Sequence, residues 1–367
     1  MREYEKKLED CRSRGRNTHH PKTTRESWTG RSLSPRGRVC GATNRREASK
    51  PPRGLLIPSL LRMLLLHCSQ KLAMLEKALM KSFPESLKVY GSIYRINRGN
   101  PFNLEVVVDT WPNFNTVVSR PHESEMKDDL DNYTNSYFMF TKDPENLREM
   151  LTNTDVVNWK QVLQIQGFQS SVDKVLKDVS VSKMVKMDIA KNTLFTMEKT
   201  VEPSDTNKGD FATEIKDGST TAPLLQGSDG QNFRLVPLSE SHADQVNQGW
   251  GFGGNEHSLR YIQRCIRHFP SFSAMDSDGN PVSWVVTEQS SEYRMGFTLP
   301  ERRNTGILKQ VLVLITQPPF RILEHAPIYG HVAEGNEASK RASIASGFQI
   351  APGNWYQWTC RPIRSPL

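Results

Sequence analysis

The stretch Glu292-Tyr293-Arg294-Met295-Gly296-Phe297-Thr298-Leu299-Pro300, followed by Arg303-Asn304-Thr305-Gly306 and the apolar pair Ile307-Leu308, decides the reading of this chain. Its first part has the aromatic and apolar composition of a strand and stops at a proline. The Arg-x-x-Gly turn then opens a helix whose first backbone N–H groups lack intrahelical partners and can grip an anion. Gly306 allows backbone and phosphate to approach closely, and Arg303 adds charge. A pyrophosphate such as that of coenzyme A suits a turn of this kind.

Outward from this turn, the chain alternates strands and helices. Downstream, the spacing predicts a helix over 307–316 running into Pro318-Pro319, which cannot continue it, then a strand over 327–332. Asn336 opens a helix over 337–345, and a last strand surrounds Phe348. Upstream, three strands over 271–275, 282–288 and 292–299 make an antiparallel meander, with Asp276-Ser277-Asp278-Gly279 as one of its turns. A helix over 256–269 precedes them, with Leu259, Ile262, Ile266 and Phe269 on one face. Before it come a strand over 233–238 and a helix opened by Ser239 or Ser241.

Residues 202–231 have loop composition and read as a linker. A first domain over 63–201 starts with a helix carrying Leu66, Leu72, Leu75, Leu79 and Phe83. Strands are expected over 88–96, 104–108, 116–119 and 136–140, and helices over 144–151, 158–164 and 171–176. The second domain covers 232–367, and the fold class is α+β.

Of the 48 Lys+Arg and 40 Asp+Glu, residues 1–62 hold 16 and 6, which leaves 32 against 34 for the rest. The net charge of +8 therefore lies in the leader, and the folded part lacks the basic excess of a nucleic-acid binder. Residues 1–62 are rich in Arg, Ser, Pro and Gly and poor in large apolar groups, so a disordered basic tail is expected there. The longest apolar run, 55–66, includes Pro58 and Arg62 and is far shorter than the ~20 residues of a membrane span. The five cysteines are scattered with no Cys-x-x-Cys pair, so neither a disulfide framework nor a metal site is expected. None of the nine histidines receives a role; lone histidines are usually structural or exposed.

The element order around Arg303-x-x-Gly306 and Asn336 resembles the acyl-CoA-binding fold of the GNAT superfamily. More specifically, Pro84-Glu85-Ser86-Leu87-Lys88-Val89-Tyr90-Gly91, Gly99-Asn100-Pro101-Phe102-Asn103, Asp129-x-Asp131-Asn132-Tyr133-Thr134-Asn135, Asn158-Trp159-Lys160-Gln161, Asn255-Glu256-x-Ser258 and Trp355-x-Gln357-Trp358-x-Cys360 are similar to the glycine N-acyltransferase family. The similarity covers about 63–362. It implies two GNAT-like α/β domains after the tail, and transfer of an acyl group from acyl-CoA, as co-substrate rather than resident cofactor, to the amino group of glycine or glutamine.

An exposed strand carboxylate would be the ordinary reading of Glu292, but the word Glu292-Tyr293-Arg294-Met295 matches the family's, where this Glu is the proposed general base in direct attack. By the same resemblance Phe297, Thr298 and Leu299 supply backbone groups to the acyl and pantetheine parts. Arg303, Asn304, Thr305, Gly306 and Ile307 cradle the pyrophosphate, and Asn336 contacts the cofactor or simply caps its helix. Where many GNAT enzymes place a thiolate-protonating tyrosine, the spacing gives Ser343. The prolines at 318 and 319 depart from the family's longer helix, so a catalytically impaired acyl-CoA-binding variant is the alternative. A monomer is expected, in the mitochondrion or, alternatively, at the endoplasmic reticulum or in the cytoplasm.

Overall fold

The computed structural model describes residues 63–198, 215–216, 219–220, 222–317, 320–323 and 325–363. The expected tail over 1–62, the first part of the expected linker (202–214) and both prolines at 318 and 319 lie outside the described residues.

The first half builds from β1 (Leu64–Leu65), α1 (Ser69–Leu79), α2 (Leu87–Ile96), β2 (Leu104–Val108), β3 (Thr116–Pro121), β4 (Ser136–Thr141), α3 (Pro144–Asn153), β5 (Leu163–Gln169), α4 (Asp173–Ser182) and β6 (Val185–Met197). The segment 88–96, expected as a strand, is the helix α2. Leu87, Val89, Tyr90 and Ile93 are all buried, as are Lys88 and Ser92 between them, so the helix has no polar face to reveal its period. The segment 158–164, expected as a helix, is a turn running into β5, where apolar Leu163 and Ile165 alternate with Gln164 and Gln166. Strand β6, thirteen residues long, was not anticipated.

The second half adds a small hairpin, β7 (Ile215–Lys216) with β8 (Ser219–Thr220), then β9 (Leu224–Gln226), β10 (Asn232–Val236), α5 (Ala243–Gly249), α6 (Glu256–His268), β11 (Ser271–Met275), β12 (Pro281–Thr287) and β13 (Tyr293–Thr298). It closes with α7 (Ile307–Leu314), β14 (Ile328–Ala333), α8 (Glu337–Ala345), β15 (Gln349–Ile350) and β16 (Trp355–Pro362). Leu224–Gln226 thus forms a strand within the stretch read as linker, paired with β10. Helix α6 is set by a capping box between Asn255 and Ser258 and buries Tyr261, Ile262, Cys265 and Ile266.

Two main sheets result. One runs β13-β12-β11-β10-β9, with every pairing antiparallel. The other runs β1-β2-β3-β4-β5-β16-β6-β14, with β15 also on β6. Strand β16 therefore returns from the chain's end to lie between β5 and β6 of the first half, carrying the buried Trp355 and Trp358. The cysteine at 360, on the same strand, is buried and free, as is Cys265.

Strands β13 and β14 end up as edges of different sheets with no ladder between them. They come close at Gly330, where a side chain would stand 2.8 Å from the Tyr293 carbonyl oxygen. With no ladder to join them, the two strands leave between them a space that α7 and α8 help to line.

Candidate active site

Two adjoining cavities fill the divergence. The inner one, ≈ 330 Å³, has apolar walls from Phe195, Trp250, Phe252, Val285, Leu308, Leu312 and Phe348, and polar ones from Arg294, His331, Asn336 and Ser343. The outer one, ≈ 620 Å³, is lined by Phe297, Thr298, Arg302, Arg303, Asn304, Gly306, Ile307, Lys309 and Arg341 among others. Leu308, Asn336, Ser339 and Ala342 border both. An apolar chamber thus opens into a groove with three cationic side chains around the N-terminus of α7, where helix dipole and unpaired N–H groups add to the positive field, and a fourth, Arg341, on α8.

The turn before α7 is shaped for this. Asn304 (φ 65°) and Gly306 (φ 77°) are both left-handed, and Gly306 has open space where a side chain would be. Arg303 is exposed and donates to the Thr298 carbonyl at 3.3 Å. Asn336 caps α8 by accepting from the Ser339 amide at 3.1 Å while lining both cavities. Of the expected cofactor contacts, Phe297, Thr298, Arg303, Asn304, Gly306, Ile307 and Asn336 come together on the groove. Leu299 and Thr305 do not line it: the Leu299 amide donates to the Val282 carbonyl, and the Thr305 hydroxyl to the Arg302 carbonyl.

Strand β13 pairs with β12 on one side only, and its ladder is broken by a bulge. Trp284 opposes Phe297 and Val286 opposes Arg294, so Val285 faces both Met295 and Gly296. Met295 adopts φ 58°, a left-handed conformation that costs an L-residue energy, and such strain collects at functional sites. The bulge forms part of the inner cavity wall.

Helix α7 ends at Leu314, ahead of the prolines. The chain that follows still fills the core, with Phe320, Ile322 and Leu323 buried and Phe320 edge-on to Phe272 at 6.0 Å. Arg321 ties the segment down through the carbonyls of Leu323 and Ala326, at 3.0 and 2.9 Å. The packing role expected of a longer helix is taken over by an irregular stretch.

At the apex where the strands part, Glu292 is fully buried. One carboxylate oxygen pairs with the Lys88 ammonium from α2; the other accepts the His331 backbone N–H at 2.6 Å and faces His331 Nδ1 at 3.0 Å. Burial opposes ionisation of this carboxyl, yet the Lys88 ammonium, with His331 and Arg294, holds it well below the usual carboxylate range. Lys88 also pairs with buried Glu288 and donates to Gln166 Oε1 at 3.1 Å. Arg294 binds Glu288 Oε2 at 3.2 Å, Gln166 Oε1 at 2.9 Å and Gln357 Oε1 at 3.1 Å. Glu292 itself lines neither cavity, whereas Arg294 and His331 line the inner one. Lys88, Glu288 and His331, which surround Glu292, were not singled out by the sequence reading. Their only local signal was Lys88 within the Pro84–Gly91 word.

No group of His, Cys, Asp and Glu among the described residues is arranged to hold a metal, and no described helix is long and apolar enough to cross a membrane.

A splayed strand pair, a bulged edge strand and a basic helix N-terminus beside an apolar chamber define an acyltransferase cleft of the GNAT type. The chain belongs to the aralkyl acyl-CoA:amino acid N-acyltransferase family, whose N-terminal model matches residues 63–270 and whose C-terminal model matches 272–362. It is 44% identical to human glycine N-acyltransferase-like protein 2 over 302 residues, 82% of this chain and 99% of that protein. It is 42% identical to bovine glycine N-acyltransferase over 302 residues, 82% of this chain and all of that protein. A Drosophila protein solved by a structural genomics consortium shares the fold, with a TM-score of 0.60 at 18% identity over 83% of this chain and 99% of that one.

Proposed function

We propose that this acyltransferase moves an acyl group from acyl-CoA to the amino group of glycine or glutamine, by direct attack within a ternary complex. The carrying observation is that a cationic groove at the start of α7 leads into an apolar chamber walled in part by Arg294 and His331, with the buried anion Glu292 behind His331. The groove takes the pyrophosphate on the α7 amides and Arg303, and the chamber takes the acyl chain. The bulge at Met295 and Gly296 presents backbone N–H groups outside the ladder to the thioester oxygen, which gains charge as the tetrahedral intermediate forms. Arg294 supplies positive charge for the acceptor's carboxylate. The amine arrives as an ammonium, and its proton is drawn toward Glu292 so that the nitrogen lone pair can attack. Without a catalytic acid at Ser343, coenzyme A leaves as a thiolate.

The test is direct. Acyl-CoA is mixed with glycine or glutamine and free thiol is followed. Thiol release that depends on the amino acid, and that Glu292→Gln reduces at least ~100-fold, supports the reading. Tight acyl-CoA binding with no release for any amino acid overturns it in favour of a binding protein.

A further inference from the structure

We propose that His331 is the group that takes the proton from the incoming amine, with Glu292 behind it orienting the ring and balancing its charge. This rests on the acyl-transfer reading above and deepens it.

Glu292 does not itself open onto either cavity, so a proton drawn toward it passes through a neighbour. One of its oxygens accepts the His331 backbone N–H and faces the His331 ring, and the other is held by the Lys88 ammonium in a buried ion pair without accepting a hydrogen bond. His331 does line the inner cavity. An ionised carboxylate only accepts, so the neutral imidazole facing it carries its proton on Nδ1 and keeps a lone pair on Nε2. Nε2 is buried and has no hydrogen-bond partner among the described residues, so its lone pair is unused by the protein, and a substrate amine meets it by displacing the side chains that cover it.

The chemistry favours the same division of labour. A carboxylate held in its ionised form by a buried ammonium is a weak acceptor for a substrate ammonium's proton, whereas an imidazole nitrogen with a free lone pair is an ordinary general base. The charged groups around the pair come from several elements: Lys88 from α2, Arg294 from β13, and Glu288 from the end of β12, with Glu292 itself. Those two cations and two anions cancel while the ring is neutral. Leu194 opposite His331 on β6, and the Trp355 ring at 5.8 Å from β16, bring no charge.

The step balances as follows. Nε2 takes one proton from the ammonium, giving an imidazolium paired with Glu292. The freed lone pair forms the C–N bond, and the tetrahedral intermediate breaks its C–S bond. The nitrogen's second proton neutralises the departing thiolate, and the imidazolium releases the first to solvent.

The experiment compares wild type with His331→Asn, whose amide can still donate to Glu292, using benzoyl-CoA with glycine and glutamine across pH 5–9. The expected result is a fall in kcat of at least ~100-fold, an unchanged KM for acyl-CoA, and loss of the acidic limb of the kcat/KM profile. In Glu292→Gln the limb persists but moves to lower pH, because the anion that favours the imidazolium is gone. Nitrogen NMR of the histidine-labelled protein adds a readout that a structural role would not move: the Nδ1–H tautomer of His331 supports the pair, and the Nε2–H tautomer overturns it. A His331→Asn protein that keeps its activity within threefold and its acidic limb overturns this inference and leaves acyl transfer standing. If the wild type itself releases no thiol with any amino acid, the acyl-transfer reading falls and this inference with it.

Discussion

Lys88 stands between two buried carboxylates, Glu288 and Glu292, in a region with almost no access to water. Removing one member of such a set leaves its partners charged without compensation, which typically costs about 3–5 kcal/mol. Lys88→Met should therefore lower the unfolding free energy by about that much at pH 7, measured by urea denaturation. The pH dependence carries a sign. In the wild type the Glu292 carboxyl is held below its ordinary value, so its contribution is present above ~4.3 and disappears as pH falls through the folded value. In Lys88→Met burial dominates instead and the folded value rises, so protonation relieves the variant. Its deficit against wild type should shrink between pH 7 and 4; a constant deficit would show that Lys88 acts only through packing. At this scale the sequence was partly legible. Glu292 was found because its word of four residues has a family counterpart. Lys88 lies 200 residues from Glu288, and His331 lies 39 from Glu292, so no local pattern joins them.

The elements explain how such distant residues meet. Helix α2 lies against the β12–β13 turn so closely that a side chain on Gly91 would stand 1.7 Å from the Ser290 carbonyl oxygen. Intrinsic propensity favours Ala over Gly inside a helix by about 1 kcal/mol, but here the contact is with backbone and cannot be relieved by a rotamer. Gly91→Ala should lower the melting temperature and, because the turn carries Glu288 and Ser290, also reduce turnover. A variant as stable as wild type would mean that α2 and the turn are not pressed together in solution. At the other end of β13, Arg303→Ala should raise KM for acyl-CoA about tenfold, as expected for one charge-assisted hydrogen bond to phosphate, and leave kcat nearly unchanged. A fall in kcat with constant KM would move Arg303 out of the ground-state binding site. The strand, turn and helix at 292–316 were readable because proline, glycine and an apolar run punctuate them. Segment 88–96 was not, because a helix buried on every side has the composition of a strand. The Asp129 to Asn135 word was recognisable, but its work emerges only in the fold. Asp131 accepts the amides of Tyr133 and Thr134, and Tyr133 reaches across to the Phe252 carbonyl that borders the inner cavity.

Across the whole molecule, the two halves share one sheet because β16 pairs with β5 on one side and β6 on the other. Within the Trp355 to Cys360 word, Trp355 and Trp358 are buried and line neither of the two cavities described, while Gln357 between them accepts from Arg294 on the inner cavity's wall. Composition could foresee their burial but not this placement, since strand order is set by contacts distant in sequence. The sheet, the cleft and both family matches begin at or after Met63, and the relatives are covered almost end to end by that match. Residues 1–62 contribute 16 Lys+Arg against 6 Asp+Glu to a chain whose remainder is nearly neutral. That charge would act on an anionic substrate through its field, which is screened beyond ~8 Å at physiological salt. A protein starting at Met63 should therefore keep kcat and the KM for acyl-CoA within about twofold at 0.15 M salt. Below ~0.02 M, where the screening length approaches 20–30 Å, the full chain should show the lower KM of the two. Loss of turnover in the shortened protein at physiological salt would place a working element in the leader, and equal KM values at low salt would show that its charge never reaches the groove.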